Sequence, residues 1–346
     1  KTGEILFKPN GKTIKAGERF KNPDFANYLE QIIVEGSNFL YHGDLTDKID
    51  DYMKDGGLLT REDLSNYEVI ERTPLKTDFN GKTIITNPMP SPGGTLIAFA
   101  LKIISQKFPG EKIDNRLLTL GMRLAQIARS EIISEKNREN SLSEILSPSY
   151  LKRYLDLFDY EISLKLNKEK PGSGSTTHMS IIDSQGNAAS VTTTNGEGCG
   201  YIIPGTGIMM NNILGEEDLN PDGFHNWETT KRMSTMMSPT IVIGDSGPEL
   251  VLGSGGSNRI RSAIKQVIVN KFTKNMNLEE AIQAPRIHLE ENIIHCESGI
   301  NTTKLIFPWS TIHHWHEKNL FFGGVNAVTP TNAVGDPRRS GYGLVC

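Results

Sequence analysis

The segment Gly174-Ser175-Thr176-Thr177-His178 has the residue types and the setting for self-directed acyl chemistry. It lies where a Gly/Ser linker, Pro171-Gly172-Ser173-Gly174-Ser175, meets a run that reads as the start of a strand. A hydroxyl fixed by a strand, next to a mobile peptide bond, is placed to attack the preceding carbonyl. The Thr176 hydroxyl reaches the Ser175 carbonyl through a five-membered ring and gives an ester. Water cleaves that ester and leaves Thr176 as a new N-terminus. Its α-amine then has an ordinary pKa of roughly 7.7 to 8.0, suited to a general base near neutral pH. This is a threonine nucleophile activated by its own amine. Taken alone, the local pattern is more often that of a Ser/Thr-rich loop entering a strand.

A second segment, Gly253-Ser254-Gly255-Gly256-Ser257-Asn258-Arg259, follows a strand-like run and precedes a helix. Three readings stand side by side. Its backbone N–H groups could cradle a phosphate at a helix start. Those near Gly255-Gly256 could form an oxyanion hole. It could also be a plain strand-to-helix turn. It lacks the Lys-Ser/Thr of a P-loop and the glycine spacing of a dinucleotide turn.

The third segment is His313-His314-Trp315-His316. On a strand, His314 and His316 share a face, but a zinc site needs further ligands and an ordered outer shell. The cluster holds no carboxylate, and a solvated strand is the simpler expectation. His42, His178, His225, His288 and His295 have no partner that spacing identifies. Neither Gly172-Ser173-Gly174 nor Gly253-Ser254-Gly255 fits the Gly-x-Ser-x-Gly elbow of a serine triad. Asn301-Thr302-Thr303 is a glycosylation sequon, meaningful only in a eukaryotic secretory setting.

The elements that must hold these groups can be sketched from periodicity. The first residues, through Gly11, read as a short strand and a turn in the middle of something longer. Pro23 and Asp24 open a helix that runs to about Gly36, and a second amphipathic stretch covers Leu45 to Met53. Thr60 and Asp63 have capping-box spacing. Thr83 to Thr86 is a strand, Asn87 to Gly94 a Pro/Gly loop, and Leu96 to Ile104 an apolar helix. Residues 115–169 are helical and charged. After the linker, Met179–Asp183 and Ala188–Thr194 form a hairpin, as do Thr240–Ile243 and Glu249–Leu252. A helix starts near Arg259, Phe321-Phe322 is a strand, and a turn surrounds Asp336 to Arg339. Helices first and hairpins afterwards fit antiparallel sheets covered by helices, an α+β fold.

Composition sets the outer limits. The chain has 346 residues with 37% hydrophobic and 23% charged, and a mean hydropathy of −0.35. That is globular composition, long enough for one large domain or two ordinary ones. The net charge of −4 makes a poor general nucleic-acid binder, because neutralising phosphates takes a basic surface. No apolar run has the length of a membrane span. Cys199, Cys296 and Cys346 are too few and too odd in number for a disulfide framework. They favour a reducing, cytoplasmic compartment. The start at Lys1 leaves export open.

Read together, the segments resemble the γ-glutamyltranspeptidase family of N-terminal-nucleophile hydrolases. Gly56-Gly57-Leu58-Leu59-Thr60-Arg61-Glu62-Asp63-Leu64 and Pro90-Ser91-Pro92-Gly93-Gly94 are similar to its large-subunit motifs. Ser175-Thr176-Thr177-His178 is similar to its processing site, and Asp183 through Thr192 to the hairpin that follows. Pro204 through Asn212, Met237-Ser238-Pro239-Thr240 and Phe321-Phe322-Gly323-Gly324-Val325 are also similar, in the family's order. The resemblance implies an αββα four-layer sandwich. It implies a precursor that cuts itself between Ser175 and Thr176 into residues 1–175 and 176–346, which stay together as a noncovalent heterodimer within one intertwined domain. Thr176 is then the nucleophile, Thr194 the hydroxyl that hydrogen-bonds it, and Gly255 and Gly256 the oxyanion hole. The substrate is a small-molecule γ-glutamyl amide such as glutathione, with transfer to water or an amine. No metal or organic cofactor is implied.

The departures fall in substrate recognition. The arginine that holds the substrate's α-carboxylate in the family lies upstream of Lys1. Thr235-Met236 stands where the family has a Ser-Ser pair, and Ile213 where it has an acidic or amide residue. The acid for the substrate's α-amine falls within Gly215-Glu216-Glu217-Asp218, with Glu217 and Asp218 as the candidates. Asn195 comes one position early for the asparagine that follows the threonine strand. A pocket without these ion-pair partners holds a zwitterionic glutamyl group less well. Two other readings follow. One is a related acylase acting on a non-glutamyl amide, cephalosporin-acylase-like. The other is an unprocessed, noncatalytic relative.

Overall fold

In the computed structural model, the residues described are 2–133, 144–158, 176–216, 219–220, 223–227 and 229–346. They divide into two compact units: Lys1–Arg72 with Gly198–Asn212, and Thr73–Glu197 with Ile213–Cys346. Among the described residues, no helix is long and apolar enough to cross a membrane.

The first unit is helical. Its start is a helical turn, α1 (Glu4–Phe7), where a strand was expected. The Phe7 and Lys8 N–H groups find the Gly3 and Glu4 carbonyls at 3.0 and 2.8 Å. With its N–H groups satisfied locally, the segment needs no strand partner. In α2 (Pro23–Glu35) the Asn22 side chain accepts from Phe25 N, Pro23 occupies the first turn, and Gly36 ends the helix at φ +67°. Then come α3 (Asn38–Tyr41), α4 (Asp44–Met53) and α5 (Arg61–Ser65). The capping box expected for α5 forms: Asp63 N donates to Thr60 Oγ1, and Thr60 N donates to Asp63 Oδ2 at 2.8 Å. Phe39, Leu45, Ile49 and Ile203 make the buried core of this unit.

The second unit carries the sheets. Two short strands, β1 (Leu75–Phe79) and β2 (Lys82–Thr86), lead to α6 (Pro92–Lys107), α7 (Asn115–Ile133) and α8 (Pro148–Leu157). Helix α6 begins four residues earlier than its apolar run suggests. Pro92 is suited to a first helical position, and Gly93 and Gly94 let that turn lie against backbone. A Cβ on Gly93 would sit 2.4 Å from the Met236 carbonyl oxygen, and one on Gly94 2.6 Å from that of Asn87.

Next come the hairpin β3 (Thr176–Ile182) and β4 (Ala188–Thr194), and a second hairpin, β5 (Thr240–Gly244) and β6 (Gly247–Gly255). Helices α9 (Arg259–Phe272) and α10 (Leu278–Gln283) follow. The remaining strands are β7 (Ile287–Glu290), β8 (Ile293–Cys296), β9 (Thr311–His314), β10 (Gly324–Thr329) and β11 (Asn332–Val334). One six-stranded sheet has the order β1-β2-β5-β6-β10-β11, with every neighbour antiparallel. Phe321-Phe322, expected as a strand, is a 3-10 turn (Leu320–Phe322) whose Asn319 side chain accepts from Phe321 N. That local capping bond competes with a ladder.

Leu250 and Leu252 of β6 join the core formed with α6, α7 and α9, while Gly253 and Gly255 turn to the opposite face and meet β3. The layers therefore run helices, six-stranded sheet, two-stranded sheet, and the molecule is α+β. Ser190 of β4 binds the hairpin down: its Oγ donates to the Leu252 carbonyl at 3.1 Å and accepts from Thr240 N at 3.1 Å. Met179, Ile181 and Val191 stay exposed on the outer face of the hairpin.

Candidate active site

Thr176 is the first residue of β3 and pairs directly with Thr194, the last of β4. Side chains at paired positions share a face, so the two hydroxyls meet. Thr176 Oγ1 donates to Thr194 Oγ1 at 3.2 Å, and Gly196 N donates to the same Thr194 oxygen at 3.0 Å. Because β3 crosses β6, Gly255 lies directly under Thr176. A Cβ on Gly255 would stand 2.3 Å from the Thr176 carbonyl oxygen. Gly256 ends the glycine run at φ +125°, a conformation that side chains disfavour. A Cβ there would lie 2.9 Å from Gly323 Cα and 3.5 Å from Arg339 Nη2. Burial lowers the pKa of the Arg339 guanidinium, and the nearby Arg259 lowers it further.

Thus the structure brings together Thr176, Thr194 and Gly255, and sets Gly256 next in the chain. The arrangement places a hydroxyl beside buried glycine backbone at the end of β6. A hydroxyl so placed has the chemistry for nucleophilic attack on an acyl group.

The recognition candidates are less concentrated. Asn195 is exposed and forms a lone β-bridge with Glu197. Thr235 is half-buried, and its hydroxyl accepts from Met237 N at 3.2 Å while its carbonyl accepts from Ser91 Oγ at 2.9 Å. It makes no hydrogen bond with Thr176. Met236 points into the main core and is 3% exposed. Ser175, Glu217 and Asp218 lie outside the described residues.

Two features were not found by sequence spacing. One is a buried ionic lattice that fixes the C-terminal segment beside Gly324. Arg286 Nη2 meets Asp336 Oδ2 at 2.6 Å, and Arg338 reaches both Asp336 and Glu297. Burial works to raise the Asp336 pKa, but Arg286, Arg338 and the N–H groups of Val325 and Arg338 hold it below the usual carboxylate range. The turn around Asp336 to Arg339 was legible in the sequence, but its partners Arg286 and Glu297 are distant in sequence. The other is His178, buried below the hairpin, whose ring is pushed down to about 4 by desolvation.

The histidine run at 313–316 resolves differently from its expected face. Strand β9 stops at His314, so His316 is not on it. His313 pairs with His295 of β8, and Trp315 Nε1 donates to His295 Nδ1 at 3.2 Å. Burial first, then His313 and Arg259, push His295 down to about 4. Among the described residues, no group of three or more His, Cys, Asp or Glu is arranged to hold a metal ion.

Comparison with known proteins finds relatives along most of the chain. The sequence is 31% identical over 310 residues to a glutathione hydrolase proenzyme of Escherichia coli (strain K12), covering 82% of this chain and 53% of that protein. It is 33% identical over 382 residues to a glutathione hydrolase proenzyme of Pseudomonas aeruginosa, covering 97% and 68%. The chain thus spans about half to two thirds of the length of these relatives. In structure it is similar to the cephalosporin acylase from Bacillus halodurans, with a TM-score of 0.83 at 21% identity, covering 99% of this chain and 66% of that one. That likeness is one of fold. The sequence profile of the gamma-glutamyltranspeptidase family matches residues 1–346, and the chain belongs to that family.

Proposed function

We propose that this chain is the self-processing, catalytic part of an amidohydrolase that cleaves γ-glutamyl amides such as glutathione, with Thr176 as nucleophile. The observation that carries the reading is the 3.2 Å contact of the Thr176 and Thr194 hydroxyls, held directly above Gly255. In processing, Thr176 Oγ attacks the Ser175 carbonyl carbon. The peptide C–N bond breaks, the nitrogen takes a proton, and the Ser175 acyl group moves to oxygen as an ester. Water hydrolyses that ester to a Ser175 carboxylate and a free Thr176. Residues 1–175 and 176–346 then remain associated without a covalent link. In support, each compact unit draws residues from both sides of this bond, and strand β2 pairs with β5 across it.

In turnover, the freed α-amine takes the hydroxyl proton as Thr176 Oγ adds to the γ-carbonyl carbon. Backbone N–H groups at Gly255 and Gly256 receive the oxyanion. The intermediate collapses to an acyl-enzyme, and the leaving amine takes the proton. Water or an acceptor amine then releases the glutamyl group. Thr194 holds the nucleophile's orientation. Asn195, Glu217, Asp218 and Thr235 are the proposed substrate contacts, and no cofactor enters any step.

A second reading keeps the nucleophile and changes the acyl group. The Thr235 hydroxyl accepts from Met237 N within its own backbone turn, and the buried Met236 adds no polar group to a pocket. An acylase ACY 1 proenzyme of Pseudomonas sp. (strain SE83) is 31% identical over 92% of this chain. The deciding experiment is intact-mass spectrometry of wild type beside Thr176→Ala, followed by a panel of γ-glutamyl and other acyl amides. Two fragments in wild type only, the smaller beginning at Thr176, is the expected result. An uncut chain in both moves the protein to the noncatalytic reading.

A further inference from the structure

His178 sits two residues along β3 from Thr176, on the same face, and its ring is enclosed by three other strands. Its Nδ1 is 2.8 Å from Thr192 Oγ1 of β4, and its Nε2 is 2.8 Å from Ser180 Oγ. Ser180 has one hydroxyl proton, and it donates that proton to the Asn326 carbonyl of β10 at 3.2 Å. Taken with that donation, a ring proton on Nε2 fills the Ser180 contact and Nδ1 accepts from the Thr192 hydroxyl, the tautomer that satisfies all three contacts at once. Asn326 Nδ2 in turn donates to the His178 carbonyl at 2.9 Å. On β6, a Cβ at Gly253 would stand 2.3 Å from ring atoms Cε1 and Nδ1, so the ring is pressed against backbone.

We infer that His178 is a positioning residue: its neutral ring, protonated on Nε2, locks the strand carrying Thr176 to the strands carrying Thr194, Gly255 and Asn326. This rests on the reading of Thr176 as nucleophile. The physical reason is the short lever. A loss of register at His178 displaces Thr176, two residues on, relative to both Thr194 and Gly255. Misplacing a reacting atom by about 1 Å lowers rates on the order of 100-fold.

The surroundings keep the ring neutral. Ser180, Thr192, Gly253 and Asn326, which face it from β3, β4, β6 and β10, carry no charge. The carboxylate reached through Asn326 is that of Asp336, whose N–H donates to Asn326 Oδ1 and whose charge is engaged by Arg286 and Arg338. Desolvation alone accounts for the low ring pKa.

The test compares full-length wild type with His178→Phe, His178→Asn and Thr176→Ala. Processing is read by intact mass, and turnover with a chromogenic γ-glutamyl anilide and a chromogenic acyl anilide. Phe keeps the ring's bulk and loses both hydrogen bonds. Asn restores an acceptor for Thr192. His178→Phe should process and turn over roughly 10- to 100-fold more slowly with KM unchanged, and His178→Asn should recover a clear part of that loss. Wild-type rates in His178→Phe, or equal losses in both variants, would overturn the role. A wild type that resembles Thr176→Ala in both assays instead sinks the nucleophile reading, and the role with it. Nitrogen NMR of Thr176→Ala reads the ring without activity. A neutral ring protonated on Nε2 from pH 7.5 to 5 supports the inference, and an imidazolium or an Nδ1-protonated ring at pH 6 overturns it.

Discussion

Thr176 and Thr194 face each other across the first rung of the β3–β4 ladder, hydroxyl to hydroxyl at 3.2 Å. The pair depends on register: a slip of one residue would send one hydroxyl to the opposite face. Replacing Thr194 by Val removes the acceptor for both Thr176 Oγ1 and Gly196 N. A lost hydrogen bond of about 1.5 kcal/mol corresponds to roughly a tenfold loss of rate. Thr194→Val should slow processing and acylation by at least that factor, and Thr194→Ser should keep most of both. Single-turnover kinetics with an unchanged melting temperature would check it. A wild-type rate in Thr194→Val would remove Thr194 from the site.

Gly255 is held to hydrogen by space. Gly255→Ala must push its methyl into the Thr176 carbonyl or shift β3 away from β6. Overpacking of this kind destabilises by roughly 1–3 kcal/mol. The shift also separates the nucleophile from its neighbouring amides. The variant should stay unprocessed by intact mass, with a lowered denaturation midpoint. Full processing at the wild-type rate would show that β3 does not rest on Gly255.

Acid should weaken the fold through its buried histidines. His178 and His295 are each pushed from 6.5 to about 4, mainly by burial. The unfolded chain therefore binds protons that the folded chain refuses. Stability falls as pH drops below about 6.5 and levels out near the folded-state values. By pH 5 each histidine lowers stability by roughly 2 kcal/mol. His288, fully enclosed and also shifted well down, acts in the same direction. Urea titrations between pH 7.5 and 4.5 should show the decline, with a shallower one in His295→Gln. A flat profile over that range would mean these rings are not buried neutral.

The Asp336 lattice predicts a large stability effect away from the hydroxyls. Asp336→Ala leaves Arg286 and Arg338 without a shared buried carboxylate and frees the Val325 N–H. Breaking a buried pair on one side costs about 3–5 kcal/mol. Chemical denaturation of Asp336→Ala beside the double variant Arg286→Met/Asp336→Ala should show a smaller loss in the double. A larger loss in the double variant, with the Arg286 substitution adding its own separate cost, would mean the two groups do not interact.

The sequence by itself determined the elements whose signals are local. The capping box of Thr60 and Asp63, the Pro23–Glu35 helix with its Gly36 stop, and the hairpin ending at Thr194 follow from residues a few positions apart. The order of short motifs also marked Thr176, Thr194 and the glycine pair. Other features needed the assembled chain. What lies against Gly253–Gly256 could not be read from its spacing, because β3 crosses over it from another part of the chain. Met236, read from its place as a pocket residue, is buried in the main core. Phe321-Phe322 has strand composition but takes a 3-10 turn, held by Asn319. His178 had no visible partner in sequence, since Thr192, Gly253 and Asn326 reach it only when three other strands stack around its own. The physical reason is common to all of these. Propensity and capping act within a turn or two, whereas burial, desolvation and steric exclusion act between strands whose sequence separation carries no signal.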